Sequence, residues 1–246
     1  MKVEDFLRAL QELPLTSPIE LTGGRPFVVL SPHPDDESLG AGGLIAAACA
    51  GHERVEVVVL TDGSGSHPRS VLYPRDRLIA LRREECARAV AHLGLPDGRV
   101  THLNLPDTLA PKSGPAFEEA VERIVRIVDA SGAGSAFVTW GRDPHCDHES
   151  AELIARAVRD RRPSLRLWSY PIWGWHLDPA AEVEDPAPSG FRIEVTPWME
   201  GKRAALRAHA SQMTDLISDD PEGFRFDEKT IAPFTGPYEY FFEVPA

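Results

Sequence analysis

The sequence contains few cysteines and no long hydrophobic run. Its three cysteines, spread over 246 residues, are too few and too scattered for a disulfide framework. The first residues, MKVEDFLRALQELPLTS, carry charges every few positions and lack the apolar centre of a signal peptide. No apolar stretch is long enough to cross a bilayer. We therefore expect a soluble, cytoplasmic protein without stable membrane association.

Basic residues are scarce as well. The chain has 26 lysines and arginines against 38 acidic residues, which gives a formal net charge of −12. Such a surface repels phosphate backbones, so nucleic acid is not an expected partner. The 42% hydrophobic content supports a sizeable core, and no low-complexity linker or internal repeat divides the chain. We expect a single domain covering residues 1–246.

Short β-branched segments alternate with helical segments through the first two thirds of the chain. Alternation with short connections is typical of parallel sheets covered by helices on both faces. The sequence therefore predicts a Rossmann-like, three-layer α/β sandwich with a mostly parallel sheet. The predicted strands are 26–30, 55–63, 100–106 and 135–140, and the predicted helices are 39–51, 75–93, 116–132 and 148–160.

The last third of the sequence changes character. Strands are expected at 165–170 and 191–196, separated by a Pro-rich, acidic segment that is typical of a long loop or lid. A helix over 198–213 and an aromatic tail over 234–244 complete the chain. We expect residues 165–246 to form an extension of the domain on the substrate side.

Polar clusters follow each of the first four strands. In open α/β sheets, ligands bind beyond the carboxyl ends of the strands, so these clusters are expected to converge on one site. The clusters are HPDDE (33–37), TDGSGSHPRS (61–70), LPDT (105–108) and GRDPHCDH (141–148).

Three of these residues form a candidate metal site. Two imidazoles and one carboxylate, from His33, Asp36 and His148, suit zinc and leave a coordination position for water. Taken alone, the HPDDE segment also fits a structural loop, because Pro34 favours a turn and Asp is a common helix cap. Glu37 is expected at the start of a helix or behind the ligands.

The same loops carry candidate acid–base residues. Asp35 lies beside Asp36, but neighbouring side chains of an extended chain diverge, which makes Asp35 a candidate general base. His145 is a candidate for stabilising an oxyanion or protonating a leaving amine, and Asp147 for orienting His145. Together these residues have the parts needed to hydrolyse an amide.

Two motifs carry a family resemblance. PHPDDESLGAGG and HCDHES resemble the paired motifs of the LmbE/PIG-L family of zinc-dependent N-acetylglucosaminyl deacetylases. The first motif is intact, whereas Cys146 stands where the second usually has Pro. The resemblance extends from about Phe27 to Met213 and includes TDG, LRREECARAVAHLGL, LNLPD and KRAALRAHASQM.

The resemblance implies a fold, a reaction and a set of roles. It implies an LmbE-like α/β sandwich that removes acetyl from an N-acetylated amino sugar or glycoconjugate, and it makes a homo-oligomer plausible. By resemblance, Zn²⁺ is held by His33, Asp36 and His148. Asp35 is then the general base, and His145 the acid or oxyanion stabiliser, supported by Asp147.

Candidate substrate contacts are less specific. Arg69 belongs to the second polar cluster and Asp107 to the third, and either side chain suits sugar hydroxyls; the second cluster also fits a flexible surface loop. Trp173 suits stacking on a sugar ring, or anchors its own loop. His209 is a weaker candidate, because a histidine on a helix surface is the commoner situation.

Three competing functions remain open. Two His and one carboxylate also form the facial triad of iron(II) oxygenases, although such sites usually occur in β-barrels. A non-catalytic sugar-binding module is a second alternative, against which Asp35 and His145 argue, because binding alone needs neither a base nor an acid. A dinucleotide-dependent dehydrogenase is disfavoured, because GAGG lacks the full glycine fingerprint and follows an acidic loop.

Overall fold

Eight strands and nine α-helices lie within residues 1–96 and 98–244, the part of the chain that the computed structural model describes. The strands are β1 Leu15–Thr16, β2 Phe27–Ser31, β3 Val55–Thr61, β4 Val100–Leu105, β5 Ser135–Thr139, β6 Arg166–Tyr170, β7 Gly190–Glu194 and β8 Tyr238–Glu243. The helices are α1 Val3–Gln11, α2 Pro18–Thr22, α3 Asp36–Ala50, α4 Arg75–His92, α5 Pro115–Ser131, α6 Cys146–Arg161, α7 Met199–Ala208, α8 Ala210–Met213 and α9 Glu228–Ile231.

The strands form one sheet in the order β1-β7-β8-β6-β5-β2-β3-β4. Its centre, from β6 to β4, is parallel, and β8 pairs antiparallel with both β6 and β7. Successive residues of a strand point to opposite faces, and β2 shows the consequence. Phe27 and Val29 join the core under α3, α4 and α7, while Val28 and Leu30 join the core under α5 and α6. The predicted three-layer α/β sandwich is confirmed.

The small residues of α3 allow it to lie close to the sheet. A Cβ added at Gly40 would overlap the Tyr170 ring, and one at Gly43 would overlap Val195. Because α3 begins at Asp36, directly after the first polar cluster, this close packing also fixes where the candidate site residues emerge.

The last third of the chain departs most from expectation. The aromatic tail contributes β8, which inserts between β6 and β7 instead of following the parallel sheet. The predicted helix over 198–213 is divided at His209 into α7 and α8. A buried ion pair between Lys202 and Glu239, 2.6 Å long, ties α7 to β8. The predicted loop over 171–190 contains a short 3₁₀ helix, Trp173–His176.

Two functional expectations bear directly on this fold. The mostly parallel sheet differs from the β-barrels in which facial-triad oxygenases usually occur, so the fold does not favour that alternative. Among residues 1–96 and 98–244, no helix combines the length and the apolar character needed to span a membrane.

Candidate active site

Polar loops meet where the central parallel strands end. The loop after β2 carries His33 and Asp35 into α3, and the loop after β5 carries Asp143 and His145 into α6. Because β2 and β5 are hydrogen-bonded neighbours, the two loops come together at the same edge of the sheet.

Asp36 lies between two imidazoles. Its Oδ2 is 3.2 Å from Nδ1 of His33 and 3.5 Å from Nε2 of His148. Two ligand atoms on a tetrahedral zinc ion lie roughly 3.3–3.6 Å apart, given bonds of about 2.0–2.2 Å. His148 Nε2 is buried and has no hydrogen-bond partner among the described residues. An unpartnered ring nitrogen at this spacing fits a metal ligand, so these three residues suit a bound cation.

Charge complementarity reinforces this cluster. Burial opposes ionisation of Asp36, yet the facing His148 and His33 lower the pKa of Asp36 to about 2. Burial also disfavours a charged His33, but hydrogen bonds with the surrounding carboxylates outweigh it and raise the pKa of His33 well above its usual range. The cluster therefore stabilises positive charge, which is the property that a cation site requires.

Asp143 lies behind His148 and was not identified from the sequence. Its Oδ2 is 2.9 Å from Nδ1 of His148. A carboxylate on the second ring nitrogen of a metal-binding histidine fixes the tautomer that leaves the first nitrogen free. The sequence offers no sharp signal for this role, because an Asp before Pro in a loop is commonly a turn residue.

Asp147 occupies a different position from the one expected. Its carboxylate does not orient His145; Oδ2 lies 3.1 Å from Nε2 of His33, and both carboxylate oxygens accept backbone N–H groups of Thr108 and Ala110. The first turn of α6 directs the Asp147 side chain towards the loop after β4, and this is the physical reason for the difference. Asp147 therefore joins the loops after β2, β4 and β5.

His145 lines the pocket at the start of α6. Its Nδ1 accepts the backbone N–H of Asp147 at 3.2 Å, so the ring hydrogen is on Nε2. Burial and the neighbouring His33 and His148 lower the pKa of His145 to about 4. His145 also belongs to a wider cluster in which it, His33 and His148 each offer a ligand atom within 4.8 Å of the others. Because Nδ1 already accepts a hydrogen bond and Nε2 carries the hydrogen, His145 is better suited to donate a hydrogen bond than to act as a fourth metal ligand.

Asp35 faces the same pocket but belongs to a separate ion pair. Its Oδ2 is 2.8 Å from Nη2 of Arg82, and both side chains are buried. Burial raises the pKa of Asp35, and the Arg82 guanidinium opposes that rise. The next residue of α4, Arg83, faces outwards and donates to Asn104 at the surface.

The pocket has a volume of about 160 Å³ and two different sides. One side is polar and includes Asp107, which is 3.3 Å from Nε2 of His33 and accepts the backbone N–H of Gly65. The lining residues are His33, Asp35, Asp36, Gly65, Ser66, Arg82, Asp107, Thr108, His145, Trp173, Gln212, Phe224 and Phe226.

The other side of the pocket is an aromatic wall of Trp173, Phe224 and Phe226. Trp173 and Phe226 are stacked with ring centres 5.8 Å apart, and Phe224 meets both rings edge-on. The expected pocket position of Trp173 agrees with this arrangement, whereas the two phenylalanines were missed. They come from an irregular segment whose sequence shows no strand or helix periodicity.

Two predicted substrate contacts lie away from the pocket lining. The Arg69 guanidinium pairs with Glu222 at 2.5 Å, and its side chain is 65% exposed. His209 is fully buried, with Nε2 3.3 Å from Ser38 Oγ and 3.6 Å from Glu37 Oε1. Arg69 faces outwards, where Glu222 provides a carboxylate for its guanidinium. His209 lies at the α7–α8 junction behind the N-terminal turn of α3. Neither side chain reaches the pocket in this arrangement.

Comparison with known proteins extends these observations. The family model described as "PIG-L: GlcNAc-PI de-N-acetylase" matches residues 28–159, from β2 to near the end of α6. A probable N-acetyl-α-D-glucosaminyl L-malate deacetylase 2 from Bacillus anthracis is 27% identical over 205 residues, covering 79% of this chain and 84% of that protein. A 1D-myo-inositol 2-acetamido-2-deoxy-α-D-glucopyranoside deacetylase from Mycobacteroides abscessus is 28% identical over 240 residues, covering 80% and 84%.

A solved structure is similar over nearly the whole chain. The N,N'-diacetylchitobiose deacetylase from Pyrococcus horikoshii superimposes with a TM-score of 0.67 and is 25% identical, covering 98% of this chain and 91% of that one. The similarity therefore includes the last third of the chain, which the family model does not match.

Proposed function

The chain belongs to the PIG-L family of de-N-acetylases, and we propose that it is a metal-dependent hydrolase acting on an N-acetylglucosamine-type amino sugar or its conjugate. The reaction adds water across the acetamide bond and gives a free amine and acetate. The observation that carries this proposal is that the adjacent residues Asp35 and Asp36 have different partners. Asp36 lies between the imidazoles of His33 and His148, while Asp35 faces the same pocket and pairs with Arg82 instead.

The proposed metal ligands are His33, Asp36 and His148, and the proposed metal is zinc. Nitrogen and carboxylate ligands in this number are typical of catalytic zinc. A zinc ion, when bound, polarises the amide carbonyl and lowers the pKa of water. The fold leaves one ring nitrogen available to a metal, because His148 Nε2 is buried and accepts no hydrogen bond from the described residues.

Asp35 is the proposed general base. It takes a proton from the attacking water as the new C–O bond forms, and returns that proton to the amine nitrogen as the C–N bond breaks. Burial in the pocket raises the pKa of Asp35, which favours a carboxylate able to accept a proton. Arg82 holds one carboxylate oxygen at 2.8 Å and thereby limits rotation of the side chain.

His145 is the proposed oxyanion stabiliser. Its Nδ1 accepts a backbone N–H, so Nε2 carries the hydrogen and donates to the carbonyl oxygen as negative charge develops there. A lowered pKa keeps the imidazole neutral, which favours hydrogen-bond donation over proton transfer. Of the two roles expected for His145, stabilisation of the oxyanion is therefore the one we propose.

The two sides of the pocket suit an amino sugar. Asp107 and Arg82 provide charged groups for sugar hydroxyls, and Trp173 with the two phenylalanines offers an apolar face for the C–H side of a pyranose ring. The named relatives act on N-acetylglucosamine units joined to malate, inositol or a second sugar. We therefore propose an N-acetylglucosamine conjugate as substrate and leave its second component to experiment.

Acetate release from a defined panel tests the proposal. The purified protein, with its metal quantified, is given N-acetylglucosamine, its inositol and malate conjugates, and N,N'-diacetylchitobiose. We expect acetate from at least one member, loss of release on chelation, and recovery with added zinc. Recovery with iron(II) under anaerobic conditions but not with zinc would contradict the proposed metal.

The zinc-loaded Asp35→Asn protein serves as the matched control, because it keeps the proposed ligands and loses only the base. Acetate release by the wild type but not by this variant assigns the activity to the pocket. A wild-type chain that carries one zinc ion and releases no acetate from any member would overturn the proposal and favour a binding module.

A further inference from the structure

Asp143 is buried, and its carboxylate accepts hydrogen bonds from two separate parts of the chain. Only 4% of the residue is exposed. Oδ2 accepts from Nδ1 of His148 and from the backbone N–H of Ile172, both at 2.9 Å. Oδ1 accepts the backbone N–H of Gly174 at 2.6 Å. One side chain therefore contacts α6 and the segment that follows β6.

The second set of contacts brackets Trp173. Ile172 is buried and Gly174 lies within the 3₁₀ helix, so the Asp143 carboxylate holds the backbone on either side of the tryptophan. A Cβ at Gly174 would lie 2.8 Å from the Trp140 ring and 3.1 Å from Asp143 Oδ1. The Trp140 ring therefore leaves no room for a side chain at position 174, and the Asp143 carboxylate is in tight contact with the same backbone.

We propose that Asp143 is a positioning residue that couples the metal ligand His148 to the aromatic wall at Trp173. The same carboxylate fixes the His148 tautomer, which leaves Nε2 free for a metal, and sets the position of the tryptophan that faces the substrate. The inference rests on the proposed function for the metal-binding role of His148. It adds that occupancy of the metal site and placement of the wall depend on each other.

The chemistry of substitution by asparagine shows why the coupling is testable. Asparagine offers one acceptor oxygen and one NH₂ group in place of two acceptors. If the asparagine oxygen faces His148 and Ile172, its NH₂ group faces the N–H of Gly174, and two donors then meet without an acceptor. If the amide is reversed, NH₂ faces His148 and favours the tautomer with hydrogen on Nε2, which cannot bind a metal. Both orientations break a hydrogen bond to the backbone beside Trp173, at Gly174 or at Ile172, and the reversed one also disfavours metal binding. Because the two sites are coupled, we expect the substitution to affect both.

The experiment measures zinc affinity and the exposure of Trp173 in the same proteins. Zinc affinity is obtained by competition with a chromophoric chelator. Trp173 exposure is obtained from acrylamide quenching, as the difference between each protein and its Trp173→Phe counterpart. We expect Asp143→Asn to weaken zinc binding about 10- to 100-fold and to increase quenching of Trp173.

Asp185→Asn is the matched control. Asp185 is also a carboxylate, in the segment between β6 and β7. It accepts from Trp140 Nε1 at 2.8 Å and from Arg142 Nε at 3.1 Å, but it does not line the pocket. We expect zinc affinity and Trp173 quenching within twofold of wild type. If Asp143→Asn behaves like this control, the proposal is wrong. Weakened zinc binding with unchanged Trp173 quenching would also overturn the coupling.

The wild-type chain provides a test that does not depend on the variant folding. We expect zinc to reduce the quenching of Trp173, because a bound metal orders His148 and, through Asp143, the tryptophan segment. Unchanged quenching on zinc addition would contradict the inference. None of these readouts requires turnover, so a chain inactive on every substrate would reject the proposed function without deciding the coupling.

Discussion

The two sides of the pocket are built from different parts of the chain. Apart from Gln212, the polar side comes from residues between the end of β2 and the start of α6, within the 28–159 segment that the family model matches. The aromatic wall comes from residues 173, 224 and 226, beyond that segment. We therefore expect the reaction to depend on the matched segment and substrate fit to depend on the last third.

The two sides are also held in place differently. His33 and Asp36 emerge from a buried parallel strand into α3, so backbone hydrogen bonds of the sheet fix their positions. Trp173 lies in a 3₁₀ turn, and Phe224 and Phe226 are in irregular structure, linked to the rest through backbone bonds to Ser66 and Gln212. We therefore expect substitutions on the polar side to abolish the reaction, and substitutions in the wall to change which substrate is preferred.

Removal of His148 should have the largest effect. His148→Ala deletes one of three proposed ligands from a fully buried position, so we expect loss of bound zinc and a fall in turnover of about a thousandfold or more. Elemental analysis of zinc per chain and acetate release check both parts. His92→Ala, at an exposed position at the end of α4, is the control and should retain zinc. A full zinc complement in His148→Ala would remove His148 from the ligand set.

Asp35→Asn should follow in size. We expect a fall in turnover of about 10²- to 10⁴-fold with the zinc content unchanged, because the proposed base is lost while the proposed ligands remain. Asparagine preserves the volume beside Arg82, so the pocket should keep its shape. The measurement is single-turnover acetate release at equal zinc loading. Wild-type turnover in the zinc-loaded variant would reject Asp35 as the base.

The same division explains how much could be predicted from the sequence. The alternation of strands and helices and the two His/Asp motifs are local patterns, and they predicted the sandwich and the grouping of His33, Asp35, Asp36, His145 and His148. Asp143 escaped prediction because an Asp before Pro is commonly a turn residue, and because two of its three partners, at 172 and 174, are remote in sequence. The insertion of β8 escaped for a related reason, since antiparallel pairing with β6 and β7 depends on tertiary contacts.

Substitution in the aromatic wall should act on substrate binding. Trp173→Ala removes the ring but keeps the backbone N–H groups that Asp143 accepts, so zinc affinity should stay within twofold of wild type. We expect KM to rise about 2- to 10-fold with kcat little changed, because an aromatic contact is worth about 0.5–1.5 kcal/mol. Steady-state kinetics on the best substrate check this, with Trp173→Phe as the conservative control. A large loss of kcat at unchanged KM would place Trp173 in the chemical step. The aromatic wall would then not be limited to substrate binding.

Arg69→Ala should have the smallest effect. Arg69 was a candidate substrate contact on sequence grounds, but its guanidinium pairs with Glu222 at the surface, and the arginine that lines the pocket is Arg82. An exposed ion pair contributes little to stability, so neither folding nor zinc binding should change measurably. We expect kcat and KM within twofold of wild type for every substrate in the panel. A tenfold rise in KM for one conjugate alone would show that Arg69 turns from Glu222 to that substrate, and the polar side would then extend to the rim of the pocket.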